Sequence, residues 1–288
     1  MSNTQSIQWF PGHMAKTRRQ ITEMLKLTDA VAEIVDARVP VSSRNPDLTG
    51  IISGKPQFIL LNKCDMADPD ATADWIRYFK NRGVIAIPVD CKSGRGLGEF
   101  KDTVKSGLAD KLEAYKNAGM VGRGLRIMVV GIPNVGKSSF INRIAGGSRA
   151  KVENRPGVTR GNQWFTIDKQ LELLDTPGVL WHKFEDQTVG EHLAFTGAIT
   201  DRIVDTELLS MRLLEILTVM YPDRLRERYG VAEFTGDAYE DLCIIGKKRG
   251  MMMRGGEVDT ERAANMLLEE FRNQRLGRIT LERAEDYA

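Results

Sequence analysis

Short apolar runs of strand length recur along the first part of the chain. They are AVAEIVDAR at 30–38, QFILL at 57–61, VIAIPVD at 84–90 and IMVV at 127–130. Strands buried on both faces show such continuous runs instead of strict alternation. The runs therefore predict strands, except that AVAEIVDAR predicts either a strand or a buried segment, and FTIDKQLELLDTPG at 165–178 predicts a β-hairpin.

Segments with helical periodicity lie between these runs. Residues 14–27 predict a basic amphipathic helix, whose apolar face would comprise Met14, Ile21, Met24, Leu25 and Leu27. DATADWIRYFKNRG at 70–83 predicts a helix that ends at Gly83, and 97–118 has a helix-like pattern. Proline and turn residues between 40 and 56 predict an extended loop.

The pattern changes from residue 190 onward, where no strand-like run returns. DTELLSMRLLEILTVMYPDRLRERYG at 205–230 and DTERAANMLLEEFRNQRLGR at 259–278 have helical periodicity, aspartates suited to N-caps, and glycines that end helices. Alternating strands and helices predict an α/β fold, a mostly parallel sheet flanked by helices. We therefore expect two domains, an α/β domain over 1–189 and a small all-helical domain over 190–288.

A phosphate-binding loop follows the strand at 127–130. Gly131-x-x-x-x-Gly136-Lys137-Ser138 matches the full pattern and is followed by the helix-forming SFINRIA. Glycines let backbone N–H groups surround phosphate oxygens, and the lysine reaches the β- and γ-phosphates. The alternative is a glycine-rich turn that binds nothing. The expected nucleotide contacts here are Asn134, Val135, Gly136, Lys137, Ser138 and Ser139.

NKCD at 62–65 ends the second strand and resembles the guanine-reading motif of GTPases. Asp65 can accept two hydrogen bonds from guanine N1–H and N2, which adenine cannot supply. Sites built on such paired bonds reject the wrong analogue by factors on the order of 10⁴. The resemblance also implies that Lys63 lies along the base and that the Cys91 N–H faces guanine O6. The expected base-site residues are Asn62, Lys63, Asp65, Cys91 and Lys92.

The DTPG sequence at 175–178 follows the hairpin. The Asp175 carboxylate can hold magnesium through water, and the Gly178 N–H can meet the γ-phosphate. Thr159, in PGVTR, is placed to ligate magnesium when a triphosphate is present. Together with Ser138, these residues predict Mg²⁺ as a cofactor of bound GTP or GDP.

The motif order, with NKCD and CKSG ahead of GIPNVGKS, PGVTR and DTPG, resembles the circularly permuted GTPases. QWFPGHMAK near the N-terminus and the helical tail resemble, among them, the bacterial ribosome biogenesis GTPase A family. This resemblance implies GTP hydrolysis during late assembly of the large ribosomal subunit, with rRNA and ribosomal proteins as partners. It also implies that hydrolysis is stimulated by the precursor subunit and triggers release.

The residue that directs the attacking water is not in its usual place. In GTPases with a water-positioning glutamine it follows DxxG, but here that position is the apolar Val179. The resemblance makes His13 of Pro11-Gly12-His13 a candidate for the catalytic role beside Lys137; alternatively, His13 caps the basic helix. Asn134 matches an asparagine that helps place K⁺ in potassium-activated GTPases, or it is a polar turn residue.

The composition limits the other functions. The chain of 288 residues is 42% hydrophobic with a net charge of +2, so any RNA contact must come from a local patch. Such a patch is the basic segment (246–256), which carries Lys247, Lys248, Arg249 and Arg254; alternatively, it is a solvated loop. Three cysteines without metal-ligand spacing and no membrane-length apolar run favour a cytoplasmic protein.

Two other function classes compete with an assembly GTPase. A guanine-nucleotide-sensing RNA-binding module would use the same motifs without useful hydrolysis. A GTPase of RNA modification or membrane signalling is disfavoured, because no modification domain, lipidation signal or membrane helix is present in the sequence.

Overall fold

The computed structural model describes residues 14–120, 122–146, 152–153, 163–176, 178, 186–200 and 204–288. Among these, the residues up to 178 together with 282–288 form one compact unit, the sheet unit. Residues 186–281 form a second unit, the helical unit. The domain boundary after residue 189 stays a prediction, and the sequence pattern gave no sign that the last residues belong to the sheet unit.

The described strands form one sheet. They are β1 (Ala30–Asp36), β2 (Gln57–Asn62), β3 (Ile85–Val89), β4 (Leu125–Val130), β5 (Val152–Glu153), β6 (Gln163–Asp168) and β7 (Leu171–Asp175). Their order is β3-β2-β1-β4-β7-β6-β5. β1 pairs in parallel with β2 and β4, β2 with β3, and β4 with β7, whereas β6 is antiparallel to β5 and β7. The predicted mostly parallel sheet and the hairpin are therefore confirmed.

Helices cover both faces of this sheet. They are α1 (Met14–Leu25), α2 (Pro46–Ile52), α3 (Pro69–Asn81), α4 (Leu97–Gly107), α5 (Ala109–Asn117) and α6 (Lys137–Ile144). Buried side chains of α1, α2 and α3 pack on one face, where they meet Val31, Ile59 and Leu61. Phe58 points to the opposite face, toward Gly107 of α4. The strand order reverses between β1 and β4, and ligands of such sheets bind at this reversal.

Helix α2 lies where the sequence predicted an extended loop over 40–56. Asn45 caps it by accepting a hydrogen bond from the Asp47 N–H at 2.9 Å, and Pro46 fits its first turn. Leu48 and Ile52, one turn apart, are buried. The prediction was wrong because tertiary burial of two side chains, and not a long periodic pattern, stabilises so short a helix.

Smaller differences occur elsewhere in the sheet unit. The helix-like region 97–118 is two helices, because Leu108 leaves helical geometry with φ −122° and ψ 24°. The first helix ends at Leu25, so Leu27 lies beyond it and is 43% exposed. The short edge strand β5 had no pattern that would predict it, since it pairs through only two residues.

The helical unit contains α7 (Gln187–Phe195), α8 (Thr206–Met220), α9 (Pro222–Tyr229), α10 (Ala238–Lys248) and α11 (Thr260–Arg272). Asp205, Asp237 and Asp259 accept hydrogen bonds from N–H groups of the first turns. Pro222 separates α8 from α9, and Gly230 ends α9 with φ 64°. The helical character and aspartate caps predicted for this region are confirmed.

The last residues of the chain form a separate feature, the C-terminal segment (282–288). It contains a short 3-10 helix, Ala284–Tyr287, and belongs to the sheet unit. Across the part of the chain that the structure describes, no helix is both long and apolar enough to cross a membrane.

Candidate functional site

The phosphate-loop motif connects β4 to α6. Gly136 precedes α6 with φ 104°, and a Cβ atom there would collide with the Asn62 side chain. A Cβ atom on Gly131 would lie 2.7 Å from the Ile34 carbonyl oxygen of β1. Glycine is therefore required at both positions by close approach of neighbouring groups. The first N–H groups of α6 have no partner within the helix, which suits them to anionic oxygens.

Asn62 joins the phosphate loop to the base-reading motifs. Its amide donates to the Val135 carbonyl oxygen at 2.6 Å, and its Oδ1 accepts from the Cys91 N–H at 3.1 Å. Arg143 of α6 adds a second link by donating to the Ser93 carbonyl oxygen at 2.6 Å. Motifs that lie more than seventy residues apart in the chain, such as Asn62 and Val135 at a separation of 73, are thus brought together.

Lys63 is held by a charged group that the sequence analysis did not select. Its Nζ lies 2.9 Å from Asp36 Oδ2, at the end of β1. Arg38 binds the same carboxylate with two bonds of 2.9 and 2.8 Å. Burial alone would raise the pKa of Asp36, but the charges of Arg38 and Lys63 outweigh it and hold that pKa far below its ordinary value. Asp36 is therefore ionised whenever the protein is folded near neutral pH.

The remaining base-site residues lie at the same edge of the sheet. Asp65 is half-buried beyond the end of β2, and the Lys92 N–H donates to Asp90 Oδ1 at 2.8 Å. The Cys91 N–H donates to Asn62 in this structure. The contact of the same N–H with guanine O6 stays a prediction. The structure thus places the two base-reading loops beside each other without testing the individual contacts.

The two cysteines of these loops are buried thiols. Burial, with the nearby charge of Asp90, raises the pKa of Cys91 to about 12. Burial also raises the pKa of Cys64, although Arg95 opposes the shift. Both side chains are therefore protonated at neutral pH and are poor nucleophiles, as reactive cysteines need an accessible thiolate.

The DTPG motif meets the phosphate loop from the other side. Lys137 forms an ion pair with Asp175 at the end of β7. Gly178 lies against the loop, since a Cβ atom on it would be 3.3 Å from the Pro133 nitrogen. Mg²⁺ in nucleotide sites is bound by one or two protein oxygens together with phosphates. The exposed Ser138 hydroxyl and the Asp175 carboxylate have the donor chemistry for such a site.

Several predicted residues lie outside the described residues. His13 and Thr159 belong to this group, as does Val179 after the DTPG motif. Ser139 and Asn134 are described and exposed at the phosphate loop, where Asn134 adopts φ 62°. His192 is buried in α7 of the helical unit.

The basic segment is partly helical and partly a turn. Lys247 and Lys248 form the exposed last turn of α10, and Arg254 is exposed. Met252 and Val258 form an isolated antiparallel bridge that closes the turn. Arg249 differs from the others, since it donates to the Arg228 carbonyl oxygen at 3.1 Å. Three of the four predicted cations, Lys247, Lys248 and Arg254, are therefore exposed to solvent.

The partners of Lys63 were not predicted from the sequence. Asp36 is the last residue of β1 and Arg38 lies two residues beyond it, which is the position where polar residues of parallel sheets meet ligands. Their placement at a strand end was a usable signal. Glu282 accepts a hydrogen bond from the Val41 N–H in the loop after β1, but it lies far along the chain, so its position gave no such signal.

Comparisons with known proteins agree with this geometry. The family described as "50S ribosome-binding GTPase" matches residues 126–218. Ribosome biogenesis GTPase A of Bacillus cereus is 47% identical over 281 residues, covering 98% of this chain and 95% of the relative. The protein of the same name from Priestia megaterium is 48% identical over 278 residues, covering 96% of each chain.

Solved structures extend the comparison to the fold. The crystal structure of GNP-bound YlqF from Thermotoga maritima has a TM-score of 0.65 and 29% identity, covering 94% of this chain and 99% of the other. A GDP-bound YlqF structure has a TM-score of 0.67 and 29% identity, covering 93% and 100%.

Proposed function

The chain belongs to the ribosome biogenesis GTPase A family and is a GTPase; from this premise we propose that it is a cytoplasmic assembly factor for late maturation of the large ribosomal subunit. It hydrolyses GTP to GDP and phosphate, the precursor subunit stimulates hydrolysis, and hydrolysis triggers release. The observation that carries this proposal is the likeness to proteins named ribosome biogenesis GTPase A across 98% of the chain.

The guanine nucleotide occupies the edge of the sheet at the β1–β4 reversal. Asp65 reads the base, Lys137 and the N–H groups of the phosphate loop bind the phosphates, and Asn62 fixes the distance between the two sites through Val135 and Cys91. This assignment is supported by the joint placement of motifs from distant parts of the chain.

Nucleotide binding breaks the Lys137–Asp175 ion pair. Lys137 then pairs with the phosphates, while Asp175 and Ser138 would hold a magnesium ion, which would supply positive charge to the phosphates. Thr159 and the Gly178 N–H complete the contacts to the triphosphate. Because Gly178 packs beside Pro133 of the phosphate loop, a change in nucleotide state alters the DTPG region directly.

The helical unit supplies the contact with ribosomal RNA. Lys247, Lys248 and Arg254 are exposed on the basic segment, and cations in this arrangement bind a phosphate backbone with release of counterions. Arg249 contributes less, because it already holds the Arg228 carbonyl oxygen. Ribosomal proteins near the RNA site are further partners.

The precursor subunit completes the catalytic site. His13 directs the attacking water, and Asn134 would hold a potassium ion, which would supply positive charge beside the phosphates. Imidazole can accept a proton at neutral pH, which the apolar Val179 cannot do. Isolated protein therefore hydrolyses GTP slowly.

The decisive experiment measures phosphate release by the protein with and without purified precursor large subunits. We expect stimulation on the order of 10³, the gain typical when a partner completes a GTPase site. Lys137→Ala serves as the control that lacks the phosphate contact. If subunits bind without stimulating turnover, the chain is instead a nucleotide-sensing RNA-binding module. If they do not bind in any nucleotide state, the assembly role is wrong.

A further inference from the structure

The C-terminal segment places a buried carboxylate in the loop that follows β1. Glu282 is 2% exposed and accepts hydrogen bonds from the N–H groups of Val41 at 2.6 Å and Ser42 at 3.0 Å. The Ser42 hydroxyl donates to the same carboxylate. A buried carboxylate is stable only with such partners, so Glu282 and this loop fix each other's positions.

Aromatic and backbone contacts hold the rest of the segment on α3. The Trp75 indole N–H donates to the Glu282 carbonyl oxygen at 3.0 Å, and the Trp75 and Tyr287 rings lie 5.5 Å apart. Arg82 donates to the Tyr287 carbonyl oxygen at 3.1 Å. Helix α3 begins at Pro69, shortly after the guanine-reading motif at 62–65, so the segment packs on the helix that follows this motif in the chain.

Hydrogen bonds and one ion pair connect the loop after β1, residues 37–43, to Lys63 by way of Asp36. The Ser43 hydroxyl accepts from the Asp36 N–H at 2.9 Å and donates to the Val39 carbonyl oxygen at 2.7 Å. The Asp36 carboxylate in turn holds Lys63 at 2.9 Å. The two bonds of the Ser43 hydroxyl depend on the loop of residues 37–43 keeping its conformation, and one of them fixes the backbone of Asp36.

Lys63 needs such external support. Its backbone has φ 59°, a region in which residues other than glycine are uncommon and which surrounding contacts must maintain. The ion pair with Asp36 supplies that contact and directs the lysine stem along the edge where the base is read. Loss of the loop's conformation would therefore release Lys63 and weaken its contact with the base.

We propose that Glu282 is a positioning residue for the guanine-reading motif, so that the last residues of the chain set the residence time of bound guanine nucleotide. Glu282 acts through Ser43 and Asp36 on Lys63. The proposal rests on the GTPase identity but not on any ribosomal partner, so it is tested on the isolated full-length protein.

The test measures dissociation of the fluorescent probe mant-GDP from wild type, Glu282→Ala, Lys63→Ala and the double variant. Glu282→Ala should release the probe faster by on the order of tenfold, a typical loss when a buried charged hydrogen-bonding group is removed. Glu285→Ala is the matched control, because Glu285 is an exposed carboxylate of the same segment. It should release mant-GDP at the wild-type rate.

The double variant separates positioning from general loosening. If Glu282 acts through Lys63, adding Glu282→Ala to Lys63→Ala should change the dissociation rate less than twofold beyond Lys63→Ala alone. The proposal is overturned if the two substitutions multiply each other's effect on the dissociation rate of mant-GDP in full. It is also overturned if Glu282→Ala leaves that rate unchanged. Measurements are made below the melting transition of every variant.

A second variant covers the case in which Glu282→Ala does not fold. Ser43→Ala removes only the hydroxyl between Asp36 and Val39 and should accelerate release several-fold, again with no further effect on Lys63→Ala. If the Ser43→Ala protein releases mant-GDP at the wild-type rate, the proposed connection from Glu282 through Ser43 and Asp36 to Lys63 is refuted. Wild-type protein that failed to bind mant-GDP would instead contradict nucleotide binding itself.

Discussion

Replacing Asn62 with alanine tests the link between the phosphate loop and the base-reading loops. Asn62 is 3% exposed, and its side chain satisfies the Val135 carbonyl oxygen and the Cys91 N–H, both of buried residues. Each buried polar group left without its partner costs about 1–3 kcal/mol. We therefore expect the free energy of unfolding of the sheet unit to fall by about 2–4 kcal/mol, allowing for partial relief by water.

Urea unfolding followed by tryptophan fluorescence measures this loss. Trp75 and Trp164 are buried in the sheet unit, whereas the sequence 184–281 contains no tryptophan, so the signal reports the relevant unit. Asn81→Ala is the matched control, since Asn81 is exposed at the end of α3. It should change stability by less than about 0.5 kcal/mol.

The same variant should also release mant-GDP faster, because the two halves of the site lose their fixed spacing. A loss below about 1 kcal/mol, combined with an unchanged release rate, would refute the reasoning. It would mean that the 2.6 and 3.1 Å bonds of Asn62 do not hold the loops together.

Four further predictions concern individual contacts. Asp65→Asn should shift binding from guanine toward xanthine nucleotides, and unaltered GTP preference in competition binding would contradict the assignment. Replacing potassium by sodium at matched ionic strength should slow hydrolysis; equal rates would remove the role of Asn134. Neutralising Lys247, Lys248 and Arg254 should weaken subunit binding and flatten its salt dependence while leaving GTP binding intact, and an unchanged salt slope would assign these residues to solvent. His13→Ala should keep GTP and subunit binding but lose most subunit-stimulated turnover; full stimulation would make His13 structural.

The parts of the fold with strong local signals could be predicted from the sequence. β1, β2 and β4 are mostly apolar because parallel strands are buried on both faces, and the helical unit carries aspartate caps. Helix α2 escaped prediction because it is stabilised by the burial of Leu48 and Ile52 against other elements. The local sequence pattern predicts a loop there, but the burial of these two side chains stabilises a helix.

The candidate site likewise contains features that could be predicted from the sequence and features that could not. Motifs whose chemistry depends on neighbours in the chain, such as Gly136-Lys137-Ser138, could be identified from sequence. The support of Lys63 could not, since Asp36, Ser43 and Glu282 meet only after the chain has folded. Neither could the engagement of the Cys91 N–H by Asn62, which makes Asn62 a connector as well as a member of the base-reading motif.

The return of the C-terminal segment to the sheet unit changes how this protein can be divided for experiments. Ending the chain near residue 183 would remove Glu282 and leave the Val41 and Ser42 N–H groups and the Trp75 indole without their acceptors. A stable sheet unit must therefore be made by internal deletion, joining the region near 183 to residue 282. For the same reason, a purification tag is better attached elsewhere than at Ala288, which lies next to the Tyr287–Trp75 contact.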